Sequence, residues 1–334
     1  MARSVTNKAG NLLLTRLWRP VYLGTTGGTR TRSLETLAFE EVRTSTEPSD
    51  HTLTAFVLHG LLGSARNWRS FSRALAFSLS NSSPSSDWRM VLVDLRNHGR
   101  SAEIEGLCLP HDMVNAAKDI ANLVKSHGWV WPDVVIGHSM GGKVALQFAE
   151  SCSRGDYGES ARFPKQLWIL DSVPGKVNPD DSDREVEKVL QTLQSLPSSV
   201  PSRKWLVNHM IELGFSKSLS EWIGSNLKKS GEHETWAFNL EGAVQMFDSY
   251  REKDYWDLLE TTPKAMEISI VHAENSDRWD PEVIQRLEGL AGQRRDESEG
   301  KVSVHVLPNS GHWVHVDNPK GLLGIVAPKI ASLV

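Results

Sequence analysis

Cysteine is scarce in this chain: 334 residues hold two, Cys108 and Cys152. Two are too few for a disulfide framework or a cysteine-rich zinc site. No run of eighteen apolar residues occurs, so no membrane-spanning helix is expected. A surplus of positive charge is also lacking. Lys plus Arg total 37 against 41 Asp plus Glu, a formal charge of −4, which gives no electrostatic reason to expect a nucleic acid partner. A hydrophobic share of 39% and a charged share of 23% suit a folded rather than a disordered chain. The length allows a sizeable core in one large domain or two small ones. Tryptophan is the residue in excess, at 12. Such rings fill cores and line apolar pockets.

Acid is absent from residues 1–34, where Arg3, Lys8, Arg16, Arg19, Arg30 and Arg32 stand among Ser, Thr and Gly. Leu12 to Leu14, Leu17 and Trp18 lie among the arginines. A basic, hydroxyl-rich, acid-poor stretch able to form a cationic amphipathic helix predicts an organellar transit peptide. Arg16 and Arg19 interrupt the apolar core that a secretory signal needs. On composition alone the destination is a mitochondrion or a plastid.

From about residue 35 short apolar runs recur at Leu53–Leu58, Met90–Val93, Val134–Ile136, Leu167–Leu170, Ile268–Val271 and Val302–Leu307. Runs of this kind suit strands buried on both faces of a parallel sheet. Helical patterns lie between them, as at Met113–His127, Met140–Glu150 and Pro281–Leu290. The alternation predicts an α/β fold, a mostly parallel central sheet flanked by helices. Ser78–Asp87, Ser151–Ser160 and Gly292–Lys301 read as surface loops. The rhythm breaks over residues 172–262, where no buried strand is evident and Trp205, Trp222, Trp236 and Trp256 sit in helical patterns. This segment reads as a helical cap inserted into a core of residues 35–171 and 263–334, over the C-terminal edge of the sheet, where open α/β sheets bind ligands.

The motif Gly137-His138-Ser139-Met140-Gly141 follows a Val-Val-Ile strand and opens a helix. That is the setting of a nucleophile elbow, in which a serine projects from a sharp, strained strand-to-helix turn and glycines two residues away remove colliding side chains. His59-Gly60-Leu61-Leu62-Gly63 follows the Leu53–Leu58 strand, and the Leu61 and Met140 N–H groups are candidates for an oxyanion hole. Asn309-Ser310-Gly311-His312-Trp313 follows the Val302–Leu307 run. A histidine there can reach the serine as general base. Asp94 to Ser101 reads as a structural loop beside the site. His312 and His315, three apart, could share a helix face, but the frame of a zinc pair is missing. No metal or cofactor is expected. His138 reads as a packing or hydrogen-bonding residue, and Lys143 as a solvated or structural one.

Together these motifs resemble the α/β-hydrolase superfamily over about residues 50–334. Gly-His-Ser-Met-Gly-Gly-Lys at 137–143, Val93 to Gly99 and Gly311-His312-Trp313-Val314-His315 resemble the subgroup of alpha/beta hydrolase domain-containing protein 11 and small bacterial esterases. The resemblance implies a serine esterase or thioesterase-like hydrolase without metal or organic cofactor, and tilts the address toward mitochondria. The Trp-bearing cap is expected to supply an apolar wall, which favours small or medium apolar acyl groups. It also bears on the triad acid. In most of the superfamily that acid follows the strand before the histidine strand; here Ser276 occupies the matching position and Asp277 comes one step late. Asp171, closing the Leu167–Leu170 run, matches a pattern of the subgroup and is preferred. Asp277 is the alternative and Glu241 a third. Capping of the Ser172-Val173-Pro174 turn is the plain structural role for Asp171. A ligand receptor or protein-stabilising scaffold on the same fold is the competing function. Protein partners are not indicated.

Overall fold

Five strands bury both faces, and the reason is the pattern of apolar residues along them. In the computed structural model, which describes residues 36–44, 52–83, 86–177, 184–293 and 299–334, they sit between two layers. Phe56, Leu58, Val91, Val93, Val135, Leu167, Ile169, Ile268 and Ile270 face one apolar core. Their neighbours Ala55, Val57, Met90, Leu92, Val134, Ile136, Trp168, Leu170 and Val271 face the other. Each such strand therefore reads as a continuous apolar run rather than an alternating one. The transit-peptide expectation for residues 1–34 lies outside the described residues.

In chain order the elements are β1 (Phe39–Arg43), β2 (Leu53–Leu58), α1 (Arg69–Ser82), β3 (Trp88–Val93), α2 (Met113–Ser126), β4 (Val134–His138), α3 (Met140–Ser153) and β5 (Gln166–Leu170). An insertion follows: α4 (Arg184–Ser195), β6 (Ser199–Val200), α5 (Arg203–Glu212), α6 (Lys217–Gly224), β7 (Leu227–Ser230), β8 (His233–Trp236), α7 (Leu240–Glu252) and α8 (Trp256–Glu260). The chain closes with β9 (Glu267–Ala273), α9 (Pro281–Ala291), β10 (Lys301–Leu307), α10 (Val314–Asp317) and α11 (Pro319–Ala331). The main sheet has the order β1-β3-β2-β4-β5-β9-β10. All its pairings are parallel except β1 with β3. Since β3 and β4 flank β2 on opposite sides, the loops after β2 and β4 meet where strand order reverses, the place open α/β sheets bind ligands.

Three features depart from the sequence reading. The polar strand β1 was not expected; it pairs with β3 and sets Glu41 against Arg89. The insertion is not wholly helical, because β6, β8 and β7 form a small antiparallel sheet. Its strands are short and partly exposed, so no apolar run marks them. Helices α1 and α3 also extend into stretches read as loops, to Ser82 and Ser153.

The crossing of β4 and α3 is the tightest point near the site. A Cβ added to Gly137 would lie 2.1 Å from the Gly141 carbonyl oxygen, and one on Gly141 2.5 Å from that of His59. Both contacts are with backbone, which cannot swing aside. Gly137→Ala is expected to cost roughly 3 kcal/mol or more through the forced shift of α3, read as a lowered urea midpoint at unchanged slope. A midpoint within experimental error of the wild type would contradict this packing.

Candidate active site

Ser139 links β4 to α3 with φ 52° and ψ −121°, a region that non-glycine residues seldom occupy. The turn is held from both sides. The Ser139 N–H donates to the Leu170 carbonyl on β5 at 2.9 Å, and the Gly142 N–H donates to the Ser139 carbonyl at 2.8 Å. The serine thus stands at the N-terminal end of α3, where helix polarity favours negative charge. The loop after β2 passes directly over it: a Cβ on Gly60 would lie 3.2 Å from the Ser139 Cβ.

Three loops meet beside this turn. Asp171, at the end of β5, is fully buried with φ 44°. Its Oδ1 accepts from the Ala273 N–H at 3.0 Å and the Trp279 indole at 2.7 Å. Its Oδ2 accepts from the Ser276 hydroxyl and from His312 Nδ1, both at 2.7 Å. Burial alone pushes this carboxyl up. The hydrogen bonds from His312, Trp279 and Ala273 outweigh it and hold Asp171 below the usual carboxylate range. The carboxylate therefore remains an anion that orients the imidazole, and its hydrogen bonds go to the β9 and β10 loops rather than to the Ser172 turn.

His312 lies on the loop before α10, so it and His315 do not share a helix face. With Nδ1–H donating to Asp171, Nε2 is the ring nitrogen whose lone pair can accept. The loop is held by His138, whose Nε2 donates to the His312 carbonyl at 2.7 Å. Ser139, His312, Leu61 and Met140 line one cavity of about 420 Å³. Among the described residues no hydrogen bond takes up the Leu61 or Met140 N–H. Asp277 lines the same cavity but is exposed, and the carboxylate on His312 is that of Asp171. Glu241 sits exposed in the first turn of α7, outside the cavity lining. The opposite wall comes from the insertion: Val186, Val189, Leu219, Trp222, Phe247 and Tyr250.

Sequence reasoning missed two groups that position Asp171. Ser276 drew notice only as the residue standing at the usual acid position, not as a donor to Asp171, and a tryptophan in a polar loop carries no pattern, so nothing marked Trp279. It also left open a solvated Lys143, which is in fact wholly buried. The Asp94 loop does pack beside the site. The Leu95 N–H donates to His59 Nε2 at 3.0 Å, while His59 Nδ1 donates to the Gly60 carbonyl at 2.7 Å. One neutral tautomer satisfies both bonds. Among the described residues no group of three or more His, Cys, Asp or Glu is placed to hold a metal ion.

The family described as the alpha/beta hydrolase family matches residues 55–324. The mouse sn-1-specific diacylglycerol lipase ABHD11 is 27% identical over 292 residues, covering 84% of this chain and 82% of that protein. The Escherichia coli esterase YbfF is 23% identical over 290 residues, covering 84% and 95%. Among solved structures, a marine microorganism esterase superposes with a TM-score of 0.66 at 21% identity, covering 88% of this chain and 98% of its own, which is a likeness of fold.

Burial around the site sets a pH dependence of stability. It lowers His59 and His315 to about 4, His98 to about 3, and His138 well below its ordinary value. Each stays neutral in the folded chain where the unfolded chain binds a proton. Unfolding therefore takes up protons below pH 6.5, and stability falls as pH drops from 6.5 toward 4. Each such histidine contributes ~1.4 kcal/mol per pH unit. Asp171 titrates lower and does not act in this window. Urea unfolding between pH 7 and 4.5 should show this steep loss; a flat profile would contradict neutral burial of these rings.

Proposed function

The chain belongs to the α/β-hydrolase family, and from that premise we propose that it is a serine hydrolase cleaving carboxylic esters. The observation that carries the proposal is the 2.7 Å bond from His312 Nδ1 to the buried Asp171, on the cavity that Ser139 also lines. Ser139 Oγ attacks the ester carbonyl while His312 Nε2 takes its proton. Asp171 stays ionised and stabilises the imidazolium. The Leu61 and Met140 N–H groups receive the developing oxyanion, each worth roughly 2.7–4 kcal/mol by analogy with measured donors. His312 then protonates the leaving alcohol, and water activated by the same histidine releases the acyl group from Ser139.

On this reading residues 172–262 act as a cap. The wall built from Val189, Leu219, Trp222 and Phe247 favours small or medium apolar acyl groups over charged ones, and thioesters of the same acyl groups fit the same chemistry. The names of two relatives, a diacylglycerol lipase and an esterase, point the same way. The basic, acid-free residues 1–34 support import into mitochondria.

Turnover of a p-nitrophenyl ester series tests the proposal. Ser139→Ala should remove activity by about four orders of magnitude or more. Asp171→Asn should lose about a thousandfold or more, because the amide no longer favours the productive tautomer, whereas Asp277→Asn should stay within about threefold. Equal losses in the two Asn variants would reject the acid assignment. Wild-type turnover no better than that of Ser139→Ala would reject hydrolysis and leave a ligand receptor.

A further inference from the structure

Lys143 lies one helical turn beyond Ser139 on α3, and its side chain is wholly buried. An ammonium removed from water must be compensated by hydrogen bonds. Here Nζ donates to three backbone carbonyls, those of Gly175 at 2.7 Å, Tyr250 at 2.6 Å and Lys253 at 2.9 Å. It also stands 4.5 Å from the centre of the Tyr250 ring. Two of the carbonyls belong to the C-terminal end of α7, where helix polarity favours a cation. The third belongs to the loop that leaves Asp171.

Two bonds hold the end of α7 to the loop that leaves Asp171: the Val177 N–H donates to the Arg251 carbonyl, and the Tyr255 N–H to that of Pro174. Other bonds reach the core. The Tyr255 hydroxyl donates to Gln147 on α3. At the other end of α7 the Asn239 N–H donates to the Asn97 carbonyl, and in its last turn the Ser249 hydroxyl accepts from the Met113 N–H of α2. Residues 184–224, which hold α4, α5 and α6, differ. Among the described residues their hydrogen bonds and ion pairs stay within the insertion, and the polar tie to the core next to them is the exposed bond from Arg66 to the carbonyl of Ser225, the residue that caps α6. They meet the rest of the protein through apolar contacts such as Trp222 against Trp313.

We propose that Lys143 is a specificity-determining positioning residue: it fixes α7 to the helix that carries Ser139, making Phe247 and Tyr250 a rigid limit on acyl length and leaving opening of the cavity to α4–α6. The specificity role rests on the hydrolase reading above; the clamp itself does not. A chain belted at both ends resists local opening, while one held by apolar contact opens at lower cost. Without the ammonium, three buried carbonyls lack their donor and the end of α7 loosens.

Hydrogen exchange on the wild-type full chain tests the clamp. Amides of α7 should exchange about as slowly as those of α3 and roughly tenfold or more slower than those of α4–α6. Exchange of α7 at the rate of α4–α6 overturns the proposal. Lys143→Met then tests specificity on acetyl to octanoyl esters. We expect KM for the octanoyl ester to change roughly tenfold, with kcat on the acetyl ester within about threefold. The α7 amides should exchange faster, and Lys143→Gln, which keeps two donors, should lie between the Met variant and wild type. An unaltered chain-length profile with faster α7 exchange overturns the specificity role. If the Met variant does not fold, the Gln variant decides by the same two readouts, and if neither folds, wild-type exchange decides the clamp. Absence of wild-type turnover overturns the hydrolase reading and the specificity role with it, while exchange still decides the clamp.

Discussion

The buried Asp171 carboxylate is the constraint on which the arrangement of the site depends. A carboxylate with no solvent contact is tolerated only when hydrogen bonds replace its lost water. Asp171 gets them from Ala273, Ser276, Trp279 and His312. Ala273 ends β9 and the other donors come from the loops after β9 and β10, so satisfying one charge fixes the position of two loops relative to β5. Ser139 is joined to the same strand through Leu170. Serine turn, carboxylate and imidazole are thereby referred to one rigid edge, which is what the proposed chemistry needs.

The second constraint is the close approach of backbones around the serine turn. Gly60, Gly137 and Gly141 leave no room for a Cβ at ordinary contact distance. The gain is a cavity with two unlike sides. The core side supplies polar atoms and backbone N–H groups; the insertion side supplies Val, Leu, Phe and Trp side chains. On the proposed reading the ester carbonyl meets the first and its acyl chain the second. The insertion is itself divided, since α7 is bonded to the core at several points and residues 184–224 are not.

Much of this was legible in the sequence because it rests on local rules. Strands buried on both faces leave continuous apolar runs, so β2, β4, β5 and β9 were visible within a residue or two. The serine turn requires small residues at fixed offsets, so it announced itself at 137–141. The preference for Asp171 came from a resemblance; Asp171 supplies the carboxylate oxygen bonded to His312 Nδ1. Other features left no trace. β1 is five residues with two adjacent glutamates, stabilised by a partner strand distant in sequence. β6, β7 and β8 are short and half exposed. Ser276 and Trp279 matter only because folding brings their loop to Asp171. Lys143 shows why a charge in a sequence cannot be assigned to solvent: its partners are backbone carbonyls, which every residue possesses.

The central claim is that Ser139 is a nucleophile activated through His312. Mass mapping of the adduct formed with a fluorophosphonate addresses it most directly, since the reagent reacts with an activated serine. The account predicts a single adduct, on Ser139, whose rate of formation collapses in His312→Ala. An adduct on another residue, or one that forms on Ser139 equally fast without the imidazole, would contradict it.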